Sequence, residues 1–369
     1  MHKATFYPLG NADCCLIELT GGKKLLFDYA NMRDPENDED LRIDLASELK
    51  NTLHEADRDS FDVVAFTHAD DDHIHGATEF FHLEHAEKYQ GDGRIKIEEM
   101  WVPAAMILEE GAQDEAKILI KEAKHRLRQG KGIRVFSRPD ALKDWLEGEG
   151  LTLDSRKHLI TRAGSLVPGF DDKTKTEIEF FVHSPLSKHC DEGEIDRNTG
   201  SLVMQGTFDT GNQILLSADT PNDVWQDIVS LTKSHKNEDR LKWDIKKLPH
   251  HCSYLSLAPE KGKDKTEPVE EAQWLLDQGQ TRSTIVSTSD PIPSEDTDQP
   301  PHRQAHRTYK DHMAKLEGQI IVTMEHPTKS KPERLVIEVD GISGARIVKR
   351  ISAPAVVITS KNIRNGNHA

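Results

Sequence analysis

The chain has 369 residues, which allows one large domain or two of ordinary size. Hydrophobic residues make up 36% and charged residues 30%, a composition typical of a globular protein with a polar surface. The net charge of -16 argues against a broad, non-specific nucleic-acid-binding surface, because such a surface needs positive potential to displace counterions from phosphates. A local basic patch is still compatible with this charge.

The sequence also argues against membrane insertion and a disulfide scaffold. No apolar run reaches the roughly 18 residues needed to span a bilayer. The N terminus lacks the long apolar core of a signal peptide, so we expect a cytoplasmic protein without a membrane partner. The four cysteines are too few and too scattered for a disulfide framework, and we expect them to be reduced. Cys252 follows two histidines and would be the cysteine nearest to a metal, although packing is the simpler role for it.

The first predicted elements are short strands followed by a helix. Residues 5–19, with a turn at 10–13, and residues 24–28 have a β pattern, and residues 42–53 have the apolar spacing of an amphipathic helix. Alternation of this kind indicates a layered protein of strands and helices. Asp28 places a carboxylate at the end of an apolar strand. This carboxylate would orient a neighbouring metal ligand without binding the metal itself.

The most informative segment is residues 68–75, His-Ala-Asp-Asp-Asp-His-Ile-His, which contains three histidines and three aspartates. It directly follows residues 61–66, whose short β-branched and aromatic pattern predicts a buried strand. Imidazole and carboxylate are ligands of zinc, manganese and iron, and a metal would offset the repulsion among the carboxylates. A solvated acidic loop is the alternative, but it would not require histidine and aspartate at this density. The segment therefore predicts a metal-binding loop at the end of a strand.

Residues 77–165 are mostly charged, and we expect them to form a mainly helical insertion on the core. This insertion would also be the surface that contacts a protein partner. The basic stretch at 117–134 has an apolar side when drawn as a helix, so it is either a cationic patch or, more simply, a solvated helix face.

A second series of strands follows and completes the expected domain. We expect a single domain over residues 1–350, and a C-terminal strand with a frayed tail over 351–369. The strands of this second series are predicted at residues 177–182, 201–206, 213–216, 244–248, 283–287, 319–324 and 335–339.

Two of these strands end in further candidate ligands. Asp219 follows Leu215-Leu216-Ser217-Ala218, and its two carboxylate oxygens would allow it to bridge two cations. His250 and His251 follow Pro249 at the end of the next strand. Each is also readily explained as an ordinary polar residue at a strand end. Together with the first loop they indicate a shared metal centre.

These pieces, in this order, resemble the metallo-β-lactamase superfamily. The usual first motif there is His-x-His-x-Asp-His, and this chain has Asp70 at the second histidine. The variant His-x-Asp-x-Asp-His, with Leu-Leu-x-x-Asp and Pro-His-His-x-Ser later in the chain, resembles the ComEC-type DNA-uptake branch. Cys252 stands where members of that branch commonly have glycine. The segments 10–13 and 198–203 resemble, more weakly, its early glycine turn and its Asn-x-x-Ser-Leu-Val strand entry. The resemblance implies an α+β fold, the four-layer αββα sandwich.

The resemblance also implies a role for each residue at the site. Two divalent ions, Zn2+ or Mn2+, would be bound, with Asp219 bridging them and His251 favoured over His250 as the last ligand. Asn198 stands where the superfamily has an isolated histidine. Supporting or weaker positions would be Asp28, Asn198 and Lys247, and contacts to a substrate phosphate would come from His250, Ser253 or Lys247. The implied metal ligands are His68, Asp70, Asp72, His73, Asp219 and His251.

The function expected from this site is metal-dependent hydrolysis. Asp72 would orient the attacking water, and the favoured substrate is a phosphodiester, in nucleic acid or in a nucleotide-like molecule, so that the protein would be a phosphodiesterase or a nuclease. Asp70 in place of histidine gives one metal site a harder, negatively charged oxygen ligand. This ligand shifts the metal preference of that site towards manganese, iron or magnesium relative to zinc. The alternatives are a hydrolase of a small ester, lactam or thioester, and a metal-stabilised module without catalysis that acts beside a protein partner.

Overall fold

The computed structural model describes residues 1–191 and 195–348. The strands in this part of the chain are β1 (His2–Phe6), β2 (Cys15–Glu18), β3 (Lys24–Phe27), β4 (Ser60–Ala65), β5 (Lys96–Pro103), β6 (Ile133–Phe136), β7 (Ile160–Thr161), β8 (Ile178–Ser184), β9 (Val203–Phe208), β10 (Gln213–Leu216), β11 (Trp243–Lys247), β12 (Gly279–Ser287), β13 (Gln319–Val322), β14 (Pro327–Thr328), β15 (Lys331–Pro332), β16 (Leu335–Asp340) and β17 (Gly344–Ile347).

Helices occupy the connections between these strands. They are α1 (Leu45–Glu55), α2 (Asp71–Ile74), α3 (Ala77–Phe80), α4 (Ala104–Leu108), α5 (Asp114–Gln129), α6 (Asp140–Gly148), α7 (Leu153–Arg156), α8 (Lys173–Thr176), α9 (Lys188–Asp191), α10 (Asn222–Ser234), α11 (Glu270–Leu276) and α12 (Arg303–Lys315). Among residues 1–191 and 195–348, no helix combines the length and the apolar character needed to cross a membrane.

The strands form two large mixed sheets. The larger sheet has the order β17-β16-β1-β2-β3-β4-β5-β6-β7, antiparallel from β17 to β3 and parallel from β3 to β7. The smaller sheet has the order β13-β12-β11-β10-β9-β8, in which β10 to β13 are parallel and β8 to β10 are antiparallel. Strands β14 and β15 form a separate hairpin.

Alternate residues of the strands face different cores, as the two-residue period of a strand requires. In β3, for example, Leu25 and Phe27 pack in the core between the two sheets, while Leu26 packs against helices. Helices α1, α5 and α6 cover the outer face of the larger sheet, and helices α10, α11 and α12 cover the outer face of the smaller one. Three cores therefore separate four layers, and the predicted αββα sandwich is confirmed.

Residues 77–165 differ from the expected helical insertion. The segment contributes β5, β6 and β7 to the larger sheet, so it is part of the core architecture rather than an addition to it. In the first half of β5, Glu98 is exposed and Ile97 is buried. The charged residues on the exposed face make the β pattern of this strand difficult to recognise in the sequence. The C-terminal strand and tail expected at 351–369 lie outside the described residues.

The basic stretch within this segment forms most of helix α5, and one of its cations is internal. The Arg126 side chain is 2% exposed, pairs with the Glu122 carboxylate at 2.6 Å and donates to the carbonyls of Ile97 and Gly132. This guanidinium is therefore used in packing α5 against the sheet and does not face a polyanionic partner.

The topology places several strand ends at one seam between the sheets. In the larger sheet, parallel strands β3 and β4 end side by side, and the Asp28 N–H that follows β3 donates to the Ala65 carbonyl. In the smaller sheet, β10, β11 and β12 end side by side. The Leu202 N–H donates to the Thr67 carbonyl, which ties the entry of β9 to the end of β4. Loops after parallel strands are the usual position of ligand sites in α/β sheets.

Candidate metal centre

Four buried ligand-type side chains meet at this seam. The ligand atoms of Asp13, His73, Asp219 and His251 all lie within 4.8 Å of one another. His73 follows β4, Asp219 follows β10 and His251 follows β11, so the cluster joins both sheets. Asp72 completes it, with its Oδ2 2.9 Å from the Nε2 of His251. The cluster combines imidazole nitrogens and carboxylate oxygens, which is the donor set of zinc and manganese sites.

His73 is held from behind by Asp28. Its Nδ1 lies 2.8 Å from Asp28 Oδ2, so the opposite nitrogen, Nε2, points into the cluster and lies 3.2 Å from Asp219 Oδ1. That Nε2 is buried and has no hydrogen-bond partner. Asp28 also accepts hydrogen bonds from the backbone N–H and the hydroxyl of Thr67, both at 2.7 Å. The carboxylate behind His73 thus fixes the ring in the orientation that a metal ligand needs.

His251 is oriented by the same principle with a different partner. Its Nδ1 donates to the Thr288 carbonyl at 2.7 Å, which turns Nε2 towards Asp72 and towards Asp219 Oδ2 at 3.5 Å. The backbone reaches this position in the left-handed region, with φ of 48° at His250 and 49° at His251. Left-handed backbone is uncommon for residues other than glycine. The structure therefore brings the histidine favoured by the sequence into the cluster at the expense of local backbone strain.

His68 and Asp70 form the outer end of the site. The two residues approach to 3.4 Å between Nε2 and Oδ2, and the His68 ring lies beside the His73 ring with centroids 4.0 Å apart and the ring planes tilted by 53°. The Nε2 of His68 is buried without a hydrogen-bond partner, as is the Oδ1 of Asn198 nearby. The second oxygen of Asp70 accepts a hydrogen bond from Arg197 at 2.8 Å. Asp70 therefore offers one oxygen to a cation and gives the other to a guanidinium.

Two other histidines near the expected third motif do not join this group. His183 contacts the Arg240 carbonyl through Nε2 at 2.8 Å, and the Nε2 of His189 lies 3.0 Å from Asp227. Both rings therefore have protein partners of their own. Asn198, which the sequence places at that motif, is close to Asp70 because the two residues line the same cavity.

The cluster is electrostatically coupled. Burial alone would lower the pKa of His73, but the carboxylates of Asp219, Asp28 and Asp13 raise it well above its usual value. Burial would raise the pKa of Asp72, but His73 and His251 lower it to about 2. Asp72 and Asp219 therefore stay ionised and favour the protonated forms of His73 and His251. A divalent ion would satisfy the same carboxylates in place of those protons.

These observations fit a divalent metal ion. Buried imidazole nitrogens without partners point towards ionised carboxylates, which is an expensive arrangement without a cation. Asp72, His73, Asp219 and His251 would hold one ion. His68 and Asp70 are the residues available for a second ion, beside the first. The number and identity of the ions remain predictions.

The remaining predicted residues have clear positions. The His250 N–H donates to Asp219 Oδ1 at 3.2 Å, and its ring is partly exposed at the rim, where burial lowers its pKa. The Ser253 hydroxyl is buried and accepts the Leu255 N–H at 3.3 Å, so it caps the following turn, and its catalytic role stays a prediction. Cys252 is buried beside Ser287 and is outside the ligand cluster.

The position of Lys247 corrects the expectation that this residue contacts a substrate phosphate. Its side chain is buried, and its ammonium contacts the carboxylates of Asp13 and Asp219 and the Ala218 carbonyl. Although burial would lower the pKa of Lys247, Asp13 and Asp219 raise it, so the group stays charged. An ammonium enclosed by protein oxygens in this way is not available to a substrate phosphate. Lys247 supports the ligands instead.

The sequence analysis missed Asp13. The sequence pattern indicates only a turn at this residue, yet its Oδ2 lies 3.5 Å from His73 Nε2, and the Thr288 hydroxyl donates to its Oδ1. Its backbone N–H also donates to the Asp72 carbonyl at 2.9 Å. The sequence signal for Asp13 is a carboxylate in a tight turn directly before a buried strand. The turn does not indicate which other loop this carboxylate contacts in the fold.

An open cavity of about 630 Å³ borders the site at Asp70. Seven of its lining residues are acidic, among them Glu109, Glu110 and Asp196, and Arg197 is the one basic residue in the lining that the structure describes. The Arg197 guanidinium is already bound by Glu109, with Nε 3.1 Å from both carboxylate oxygens, as well as by Asp70. The approach to the metal centre is therefore strongly negative.

Comparison with known proteins gives similarity at low identity. No family model matches the chain, and no curated protein matches it. Among solved structures, the chain is similar to Igni18, a novel metallo hydrolase from the hyperthermophilic archaeon Ignicoccus hospitalis, at 14% identity over 92% of this chain and 100% of that chain, with a TM-score of 0.40.

Two further solved structures have the same kind of similarity. The isothiocyanate hydrolase from Delia radicum gut bacteria has 12% identity over 90% of this chain and 98% of that chain, with a TM-score of 0.39. A new diphosphatase from the PhnP family has 9% identity over 89% of this chain and 84% of that chain, with a TM-score of 0.32. All three proteins are named as hydrolytic enzymes, and the names of the isothiocyanate hydrolase and the diphosphatase indicate different substrates. Similarity at this level assigns neither a substrate nor the ComEC-type branch to this chain.

We expect Asp28→Asn to weaken metal binding about tenfold or more. Asparagine tolerates the left-handed backbone at this position, where φ is 58°, so the fold is retained. Its single carbonyl oxygen cannot accept from His73 and both Thr67 donors, and it lacks the negative charge. Competition with a metal-sensitive chelator measures the affinity. Asp62→Asn is the matched control, because Asp62 likewise accepts from a backbone N–H and a side chain but lies far from the site. Equal affinities in both variants would contradict the role of Asp28.

Proposed function

We propose that this protein is a metal-dependent hydrolase. One observation carries the proposal: buried histidines and carboxylates that follow β4, β10 and β11 meet, with the unpartnered Nε2 of His73 3.2 Å from Asp219 and the Nε2 of His251 paired with Asp72 at 2.9 Å. A structural metal site would be closed by its ligands, whereas Asp70, at the outer end of this site, lines an open cavity. An accessible site of this composition is suited to catalysis.

The bound ion, Asp72 and His250 would have different roles in hydrolysis. A divalent ion bound here would supply a Lewis acid and a water whose pKa is lowered towards neutrality. Asp72 is partly exposed and stays a carboxylate across the neutral range, so it would accept a hydrogen bond from a water and orient it. His250, whose pKa burial lowers, is neutral near pH 7 and offers an N–H at the rim, where a substrate oxygen would lie.

We favour a small phosphodiester as the substrate. The transition state of phosphodiester hydrolysis carries negative charge on several oxygens, so divalent cations stabilise it directly. The cavity argues against a long nucleic acid, because its acidic wall would repel each further phosphate and Arg197 is already paired. A nucleotide-like molecule with one reactive phosphate would bind that phosphate at the metal centre. The neutral or cationic part of the molecule would then contact the acidic wall of the cavity.

Two alternatives follow from the same geometry. A neutral ester, lactam or thioester would also tolerate the acidic wall, and hydrolysis of such a molecule needs the same oriented water. A metal-stabilised module that binds a protein partner through the outer surface of residues 77–165 would need the metal but no accessible water. The open cavity at the site favours the catalytic alternatives.

We expect Asp72→Ala to reduce hydrolysis of bis-nitrophenyl phosphate in the presence of Mn2+ or Zn2+ by roughly a hundredfold or more, because the water loses its orienting carboxylate. Initial rates of nitrophenol release measure the effect. Asp59→Ala is the control, since the Asp59 side chain is exposed and its carboxylate pairs with Lys96, which is outside the ligand cluster. Unchanged rates in Asp72→Ala would reject the enzymatic assignment to this site.

We expect activity to depend on bound metal. Dialysis against a chelator should abolish hydrolysis, and addition of Mn2+ or Zn2+ should restore it. The same ions should raise the melting temperature, because a ligand present at about 100 times its Kd stabilises the folded state by about 2.7 kcal/mol. Elemental analysis of protein purified without chelator measures the content, and a value below one equivalent would contradict a resident metal centre.

Salt response separates a small-molecule enzyme from a nuclease. We expect weak binding of single-stranded DNA, duplex DNA and RNA, with little change between about 50 and 200 mM salt, because the described lining of the cavity offers no free cationic side chain for phosphates. Fluorescence anisotropy with labelled oligonucleotides measures this binding. A steep loss of affinity with salt would instead favour the nuclease and would locate a basic surface elsewhere on the protein.

A further inference from the structure

Lys247 ends inside the ligand cluster. Its side chain is 5% exposed, and its ammonium donates to the Ala218 carbonyl at 2.9 Å and lies 3.5 Å from Asp219 Oδ1. The Asp13 carboxylate is its nearest partner. Since Lys247 belongs to the smaller sheet and Asp13 precedes β2 of the larger one, this ion pair joins the two sheets at the metal centre.

Asp13 is placed as a ligand but is already neutralised. Its Oδ2 lies 3.5 Å from His73 Nε2, and its ligand oxygen is within 4.8 Å of those of the other cluster members. By position it is equivalent to a metal-binding carboxylate. The oxygen that faces His73 is also the one that the Lys247 ammonium contacts, while the Thr288 hydroxyl takes the other oxygen. A cation approaching Asp13 would have to displace the ammonium.

We propose that Lys247 is a built-in cation that keeps Asp13 out of the metal ligand set, so that the Asp13–Lys247 pair positions Asp219 instead of binding the ion. The pair limits the carboxylates of the metal ligand set to those of Asp72 and Asp219. This inference rests on the proposed metal centre and adds a function for the two residues behind it.

The neighbouring lysine supplies a contrast. Lys246 is also buried on β11, but it points to the opposite face of the sheet, where it donates to Ser217 Oγ at 2.9 Å and lies 4.6 Å from the Trp225 ring centroid. No carboxylate of the cluster contacts it among the described residues. Burial, together with the nearby charge of Lys247, lowers the pKa of Lys246 to about 7. Removal of Lys246 therefore removes a buried lysine side chain of the same strand without changing the charge at the ligands.

The test measures metal affinity and stability in four variants, Lys247→Met, Lys247→Gln, Asp13→Asn/Lys247→Met and Lys246→Met. Titration calorimetry with Mn2+ gives the affinity and stoichiometry, and thermal unfolding of the metal-free protein gives the stability. Lys247→Gln keeps a donor for the Ala218 carbonyl without the charge. Lys246→Met is the matched control.

We expect loss of the ammonium to free Asp13 for the metal. Lys247→Met and Lys247→Gln should bind Mn2+ on the order of tenfold more tightly than the wild type, because metal affinity rises with the number of charged oxygen ligands. Their metal-free forms should melt at lower temperature. The double variant should lose the gain in affinity, and Lys246→Met should bind Mn2+ like the wild type.

Several results would overturn the inference. Equal or weaker Mn2+ binding by both Lys247 variants would show that the ammonium does not compete with the metal, and an undiminished gain in the double variant would show that Asp13 is not the residue released. If neither single variant folds alone, refolding with Mn2+ should recover both, and failure to do so counts against the proposal. Absence of Mn2+ or Zn2+ binding by the wild type would instead reject the metal centre itself.

Discussion

The structure depends on the compensation of carboxylates that are buried together at the seam between two sheets. Asp13, Asp28 and Asp219 are each at most 3% exposed, and Asp72 adds a fourth charge beside them. Such a group is strongly unfavourable unless cations or hydrogen-bond donors surround it. Lys247, the backbone N–H groups and protonated histidines provide this compensation in the protein itself, and a divalent ion would take over from the protons.

The two-sheet architecture makes this arrangement rigid. The ligands follow parallel strands whose ends are fixed by their neighbours, and each histidine is held by a protein acceptor on the nitrogen that faces away from the cluster. Asp28 holds His73 from the larger sheet, and the Thr288 carbonyl holds His251 from the smaller one. Because the supports belong to different sheets, the site requires the whole sandwich and could not form in either half alone.

The sequence predicts those parts of the site whose signal is local. The loop at 68–75 concentrates ligand residues directly after an apolar strand, and strands such as Gln213–Leu216 have clear apolar runs. The strands in 77–165 were missed because charges on the exposed face of β5 hid its period. Asp13 was missed for a different reason: its partner Lys247 is 234 residues away, and only the packing of the two sheets brings them together.

The strained backbone after β11 shows how the position of His251 is determined. Three successive residues, His250, His251 and Cys252, have φ of 48°, 49° and 67°, and each such residue costs about 1–3 kcal/mol. Hydrogen bonds from His250 N–H to the Ala218 carbonyl and from His302 N–H to the Cys252 carbonyl hold the turn in place. Since protein contacts maintain this conformation, the ring of His251 is directed at the cluster before any ion binds. A ligand fixed in advance loses little entropy on coordination, which favours tight binding and keeps the open side of the site free for substrate.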